Sequence, residues 1–442
     1  MKSIKVKENR KKKDSKLIEI PFFILKTKNP KPLPPIFLLA GGPGDNPSIL
    51  QELNEIAPQL HEFSVKSDVI IVEQRGNGLS KPNLSCPESF NLPLNEPLTK
   101  EKYSEIYGSY IKKCKKFWEG NSRDLSSYNV ISMADDINDV RKFLDYDKII
   151  LFGGSFGSHH GLTYVKKYPK HVDRILLDSP EGLGHTVKLP FNIDAILKEL
   201  SKMVSRDTIL NTKIPSFIMM VKKQIELLKK SPVKVKLKHP KSNELVKIIV
   251  GSYDLQLITA SMLGRKEYRE LPYRYLQMKN GNYKWLAQRA INIRVNQNEN
   301  LMPVLTDCAS GATHKRWVEH EKESKNAILG DALNGVRFEV CDLLPNLNLA
   351  EELSSDFFIK EVPIMLIYGS QDARTPPSNT IDIIRHFNNV HTIKVKNGSH
   401  DLFKEVWKEI KPIMINFLTT PNPTLINFQT LIDAPIKFKV HD

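Results

Sequence analysis

Short apolar runs punctuate the first 180 residues of the chain. They are LIEIPFFILKT from residue 17, IFLLA at 36–40, DVIIVEQ at 68–74, KIILFG at 148–153 and RILLDS at 174–179. Each is rich in Ile, Leu and Val and bounded by glycine, proline or charge, the pattern of strands buried on both faces of a parallel sheet. Helical periods lie between them. SMADDINDVRKFLD spaces Ile137, Val140, Phe143 and Leu144 along one face, and HHGLTYVKKYP reads as a helix ended by Pro169. This alternation predicts an α/β fold, with a mainly parallel sheet and helices on both faces.

From about residue 185 the rhythm changes. NIDAILKELSKMV, PSFIMMVKKQIELLKK and LQLITASML are helical in period, and strand patterns return only at PIMLIYG (363–369) and HTIKVKNG (391–398). The predicted organisation is a basic N-terminal lead (1–18), a first core segment (19–184), a mostly helical cap insertion (185–354), a second core segment (355–420) and a C-terminal tail (421–442) without clear pattern.

Bulk properties narrow the class. The 442 residues are 40% hydrophobic and 26% charged, as expected of a folded globular chain. No apolar run approaches the roughly 18–20 residues that span a bilayer, so no membrane partner is expected. The net charge of +15 is spread over lysines in every segment. No zinc-ligand spacing or nucleic-acid motif accompanies it, and it reads as a solvated surface rather than a nucleic-acid site. The basic start is followed only by LIEIPFFIL, short and interrupted by Glu19, so no signal peptide is visible and a cytoplasmic location is expected. Cys86, Cys114, Cys308 and Cys341 form two local couples without a CxxC pair. Two disulfides and four reduced thiols both fit that arrangement.

The chemistry lies at the predicted strand ends. Gly153-Gly154-Ser155-Phe156-Gly157 fits G-x-S-x-G between a strand and a helix, the context of a nucleophile elbow. A serine hydroxyl needs a base, and the base an orienting acid. Asp372, in GSQDARTPP after PIMLIYG, and His400, in NGSHD after HTIKVKNG, follow Ser155 in the order Ser, Asp, His. Ala40-Gly41-Gly42-Pro43-Gly44 follows IFLLA, so the N–H groups of Gly42 and Phe156 are candidate oxyanion donors. His159 and His160 match no metal-ligand spacing, and neither metal nor cofactor is expected.

AGGPG, EQRGNGLS (73–80), GGSFGS, GSQDARTPP and NGSH, taken together, resemble the proline iminopeptidase group of α/β-hydrolases, and more closely its tripeptidyl aminopeptidase branch. The resemblance implies an α/β-hydrolase fold with Ser155 as nucleophile, His400 as base, Asp372 as its partner, and Gly42 and Phe156 as oxyanion donors. Ala40 stands where better-known members have His, and Phe156 where they tend to have Trp; Phe156 would keep an aromatic wall. The branch and its cysteine couples point instead to export of a form whose leader is missing. An aminopeptidase must hold a free ammonium. Glu181, in DSPEGLGHT, is the first candidate for that carboxylate and Glu73 the second, though either could be structural, paired with an arginine such as Arg75. The insertion aromatics Tyr268, Tyr273, Tyr275 and Trp285 read as cap packing. The expected activity is an exopeptidase acting on peptide N-termini; an esterase or lactonase on small esters is the alternative, and a non-catalytic hydrolase-fold binding protein the third reading.

Overall fold

The computed structural model describes residues 1–44, 61–345, 347–420 and 428–440. The runs LIEIPFFIL, LPPIFLL, SDVIIV, IILFGG, VDRILLD, IMLIYG and VHTIKVK form strands β2 (Leu17–Leu25), β3 (Leu33–Leu39), β4 (Ser67–Val72), β5 (Ile149–Gly154), β6 (Val172–Asp178), β9 (Ile364–Gly369) and β10 (Val390–Lys396). Two strands lie outside the sequence expectation, β1 (Lys2–Lys7) in the basic lead and β11 (Phe428–Asp433) in the tail. These nine form one sheet in the order β1-β2-β4-β3-β5-β6-β9-β10-β11. All pairs from β4 to β11 are parallel, and β2 is antiparallel to both neighbours.

Strand alternation divides the core in two. Phe37, Leu39, Ile70, Leu151, Ile175 and Leu366 face helices Val130–Phe143 and Phe156–Lys167. Ile36, Ile71, Ile150, Leu176, Ile367 and Ile393 face helix Trp407–Thr419 through Ile410, Met414 and Phe417. The central strands are apolar throughout because both faces are covered.

β1 escaped detection because KSIKVK offers only Ile4 and Val6, which pair with Ile20 and Ile18 while the lysines face outward. The lead is therefore part of the sheet. It is tied down by Asp136, which accepts from the fully buried Arg75 at 2.7 Å and from Arg10 at 2.5 Å. Arg75 thus serves the EQRGNGLS turn structurally.

Among the described residues the insertion carries seven helices of nine or more residues, from Pro190–Arg206 to His314–Ser324, and the five from Pro190–Arg206 to Lys284–Arg294 surround a core that includes Leu197, Phe217, Leu255, Tyr268, Tyr275 and Leu286. It also holds an antiparallel hairpin of β7 (Val233–Lys238) and β8 (Leu245–Val250), which the lysine-rich VKVKLK concealed. Tyr268 and Tyr275 are fully buried, and Trp285 packs against the same cluster.

Cys86–Cys114 and Cys308–Cys341 are disulfides, closing sequence separations of 28 and 33 residues. Loops of that length reduce the freedom of the unfolded chain by roughly 3–4 kcal/mol each in the chain-entropy account. Alkylation of the denatured, unreduced protein should label no cysteine, and all four after reduction. Mass spectrometry that found thiols before reduction would contradict this pairing.

Candidate active site

Parallel strands send their C-terminal ends to one edge of the sheet, and the candidate residues gather there. Gly42 lies three residues beyond β3, Ser155 one beyond β5, Asp372 three beyond β9 and His400 four beyond β10. Loops after these strands are pinned to one another. The Ser155 N–H donates to the Asp178 carbonyl at 3.0 Å, and the Gln371 N–H to the Gly398 carbonyl at 2.8 Å.

Ser155 sits at φ 53°, ψ −125°, a conformation that a non-glycine residue holds only under constraint from its surroundings. The constraint is visible at the flanking glycines. A Cβ on Gly153 would lie 2.3 Å from the Gly157 carbonyl oxygen, and one on Gly157 would lie 2.2 Å from that of Leu39. Helix Phe156–Lys167 therefore starts in contact with β3, with Ser155 as its N-cap. The Phe156 N–H belongs to the first helical turn, whose amides have no acceptor within the helix. The Phe156 ring is 1% exposed and stacks on His159 and His160 within the core. It does not form the aromatic wall expected of it.

His400 Nδ1 is 2.7 Å from Asp372 Oδ2. Asp372 is fully buried and accepts three further bonds, from the N–H groups of Arg374 (2.8 Å) and Thr375 (3.0 Å) and from the Thr375 hydroxyl (2.7 Å). Burial alone would raise its carboxyl, but His400 and these donors outweigh it and hold it below the usual range. Asp178, at the end of β6, is the opposite case. Burial, then the neighbouring Asp372, push its carboxyl well above the usual range. Of these two acids, Asp372 carries the charge beside the histidine.

The glycine loop 40–44 is held by Gln74. Its amide donates to the Ala40 and Gly41 carbonyls at 3.2 and 3.3 Å and accepts from the Gly44 N–H at 2.8 Å. Gly42 has φ 98°, which favours glycine, and it lines a cavity of about 190 Å³ together with Ser155.

The cavity contains Glu181 but not Glu73. Glu181 is 6% exposed, and Lys188 Nζ lies 2.5 Å from its carboxylate. Burial pushes this carboxyl up, yet Lys188 and the neighbouring histidines bring it below its ordinary value. The expected ammonium anchor is thus already an ion pair, with a lysine rather than an arginine. Glu73 lines a separate space of about 10 Å³ with Gln74, Arg75, Asp136 and His160. Since Arg75 pairs with Asp136, Glu73 has no charged partner among the described residues.

Sequence reasoning missed the four other charged residues of this cavity, namely Lys188, Asp307, Arg337 and Arg374. Asp307 pairs with Arg337 at 3.2 Å, and burial pushes its carboxyl up to about 7 against the pull of Arg337. Asp307 and Arg337 come from the insertion, within a segment that shows only helical periodicity. His159 and His160 are buried and held neutral by burial, His160 lowered to about 4.

A nucleophile elbow, a His–Asp pair and a glycine loop at neighbouring ends of a parallel sheet are the architecture of an α/β-hydrolase. A family model of the α/β-hydrolase fold matches residues 34–222, and the chain carries that fold. Among curated proteins, the serine protease Hip1 of Mycobacterium tuberculosis is 26% identical over 149 residues, covering 31% of this chain and 28% of that protein. The abhydrolase domain-containing protein abhd-5.2 of Caenorhabditis elegans is 27% identical over 119 residues, covering 21% of this chain and 27% of that one. The chain therefore spans under a third of the length of these relatives. Among solved structures, the proline iminopeptidase of Mycobacterium smegmatis aligns over 94% of this chain and 97% of its own, at a TM-score of 0.42 and 13% identity.

Burial pushes the Glu73 carboxyl from 4.5 up to about 7, opposed weakly by the Leu79 backbone. The folded state then holds this proton more tightly than the unfolded state. Its contribution to stability is full below 4.5 and fades as pH rises to about 7. Glu73→Gln should flatten this part of the stability profile and exceed the native protein above pH 7 by roughly 1–3 kcal/mol. Denaturant titrations across the range check it; an undiminished pH slope in the variant would assign the effect to another group.

Proposed function

We propose that the chain is a serine hydrolase that removes residues from the N-termini of short peptides. His400 takes the Ser155 proton through Nε2 while its Nδ1–H stays on Asp372. Ser155 attacks the scissile carbonyl, whose developing oxyanion meets the Gly42 and Phe156 N–H groups. His400 then protonates the leaving amine, and water, activated in the same way, releases the acyl group. The observation that carries this reading is the 2.7 Å bond between His400 and a charged, buried Asp372, on loops at the same edge of the sheet as the strained Ser155.

The peptide assignment is supported by two carboxylates, Glu181 and Asp307, in the cavity with Ser155. An incoming ammonium would compete there with Lys188. One observation favours the second reading, an esterase or lactonase: the Glu181 carboxylate is already neutralised by Lys188 at 2.5 Å. The two disulfides suit maturation in an oxidising compartment.

Ser155→Ala should lower kcat by roughly 10⁴-fold or more, and Asp372→Asn by a similar order. Aminoacyl chromogenic amides, their N-blocked forms and simple esters should be assayed side by side. The amides with a free N-terminus are expected to turn over and the blocked forms to fail. Turnover of esters alone would establish the second reading, and full activity in Ser155→Ala would remove Ser155 as the nucleophile.

A further inference from the structure

The loop that carries His400 is held from two sides. The core holds its start, where the Asn397 N–H donates to the Ser370 hydroxyl and the Gln371 N–H to the Gly398 carbonyl, both at 2.8 Å. Farther along, the core reaches the His400 main chain through the Ser179 hydroxyl, 3.4 Å from its carbonyl. The cap grips the rest through residues 264–269, the stretch GRKEYR. Gly264 caps helix Ser252–Leu263, whose last carbonyls find no donor within the helix. Its own carbonyl accepts from the His400 N–H at 3.2 Å. The Lys266 N–H and the Arg265 guanidinium reach the Asp401 carboxylate at 3.1 and 3.3 Å. The Tyr268 hydroxyl reaches back to the Asn397 carbonyl at 2.9 Å.

Arg269 ties these contacts together. Its guanidinium lies 2.7 Å from one oxygen of Glu405, a side chain 2% exposed. The other oxygen accepts from the Ser399 N–H at 2.7 Å and from the Ser399 hydroxyl at 3.1 Å. Buried charge-assisted contacts of this kind are strong when complete and costly when one partner is removed. Among the described residues, the lining of the Ser155 cavity includes none of Tyr268, Arg269 and Glu405. Their reach is to the histidine loop. Catalysis needs His400 Nε2 beside the Ser155 hydroxyl while Nδ1 stays on Asp372, and a misplacement of about 1 Å costs roughly 10²-fold in rate. Resting on the serine-hydrolase reading, but not on the choice of peptide or ester, we propose that cap residues 264–269 position His400. Arg269 is the principal positioning residue, acting through Glu405 and Ser399, so Ser155 reacts at full rate only while this part of the cap is docked.

The test follows the rate at which a fluorophosphonate labels Ser155, with kcat and KM on whichever amide or ester the native enzyme turns over. Arg269→Gln should slow labelling and lower kcat by roughly 10- to 10²-fold, while KM changes by less than about threefold. Arg269→Lys returns a cation to Glu405 without the planar fork and should recover part of that loss. Tyr268→Phe removes one hydroxyl from a packed ring and should cost roughly threefold to tenfold. Native labelling and kcat in both Arg269→Gln and Tyr268→Phe would overturn the positioning role. A loss confined to KM would overturn it too, as would an equal loss in Arg269→Lys and Arg269→Gln. If Arg269→Gln fails to fold, Tyr268→Phe decides by the same readouts. Absence of labelling in the native protein would overturn the serine-hydrolase reading and this role together. Labelling with turnover of esters alone would overturn only the peptide reading.

Discussion

Backbone contact between the start of helix Phe156–Lys167 and strand β3 governs the geometry at the sheet edge. Neither Gly153 nor Gly157 has room for a Cβ, because carbonyl oxygens stand 2.3 and 2.2 Å from where it would be. The chain must reverse from β5 into the helix within one residue, and that residue is Ser155 with its positive φ. Strain of roughly 1–3 kcal/mol at such a residue persists only where packing enforces it. Here the enforcement comes from Leu162 and Val165, which bury the helix on the β3–β5–β6 face. The serine is therefore positioned by the packed core together with the bond from its N–H to the Asp178 carbonyl.

A second layer of order comes from the cap. Its Gly264 carbonyl accepts from the His400 N–H at 3.2 Å, and the same glycine abuts Arg374. Disulfide Cys308–Cys341 joins helix Leu301–Ser310, which carries Asp307, to the short helical segment Arg337–Leu343. The Asp307–Arg337 pair thus lies beside a covalent link that fixes its two elements relative to each other. Charges that line the Ser155 cavity are held on one side by the sheet edge and on the other by a crosslinked cap wall.

The parts of this protein that could be read from sequence are those where one residue type has few structural excuses. Runs such as DVIIVEQ and KIILFG are too apolar and too short to be anything but buried strands here, and they delivered the sheet. Ser155, Asp372, His400 and Gly42 stood out because each follows such a run and so projects to the same edge. β1, β7 and β11 were lost because half their positions are polar and an edge or hairpin strand needs only two or three apolar residues. Lys188, Asp307 and Arg337 were lost for a different reason. Their meeting depends on how a helical insertion folds back over the core, and nothing in local spacing records that. Glu73 is the converse case: a carboxylate one residue past a strand end looked available to the cleft, yet it lines a separate space of about 10 Å³ and not the Ser155 cavity.

Strand β1 has a consequence for behaviour in concentrated solution. A sheet edge offers unpaired N–H and C=O groups to any passing strand, and proteins blunt it with short strands and outward charge. Here the edge of the described sheet is a six-residue strand whose inward residues are Ile4 and Val6, with Lys2, Lys5 and Lys7 exposed along it. Three like charges at alternate or near-alternate positions repel a second copy approaching in register. Part of the +15 charge, spread as a solvated surface, thereby also acts as insulation against one molecule's sheet growing into the next.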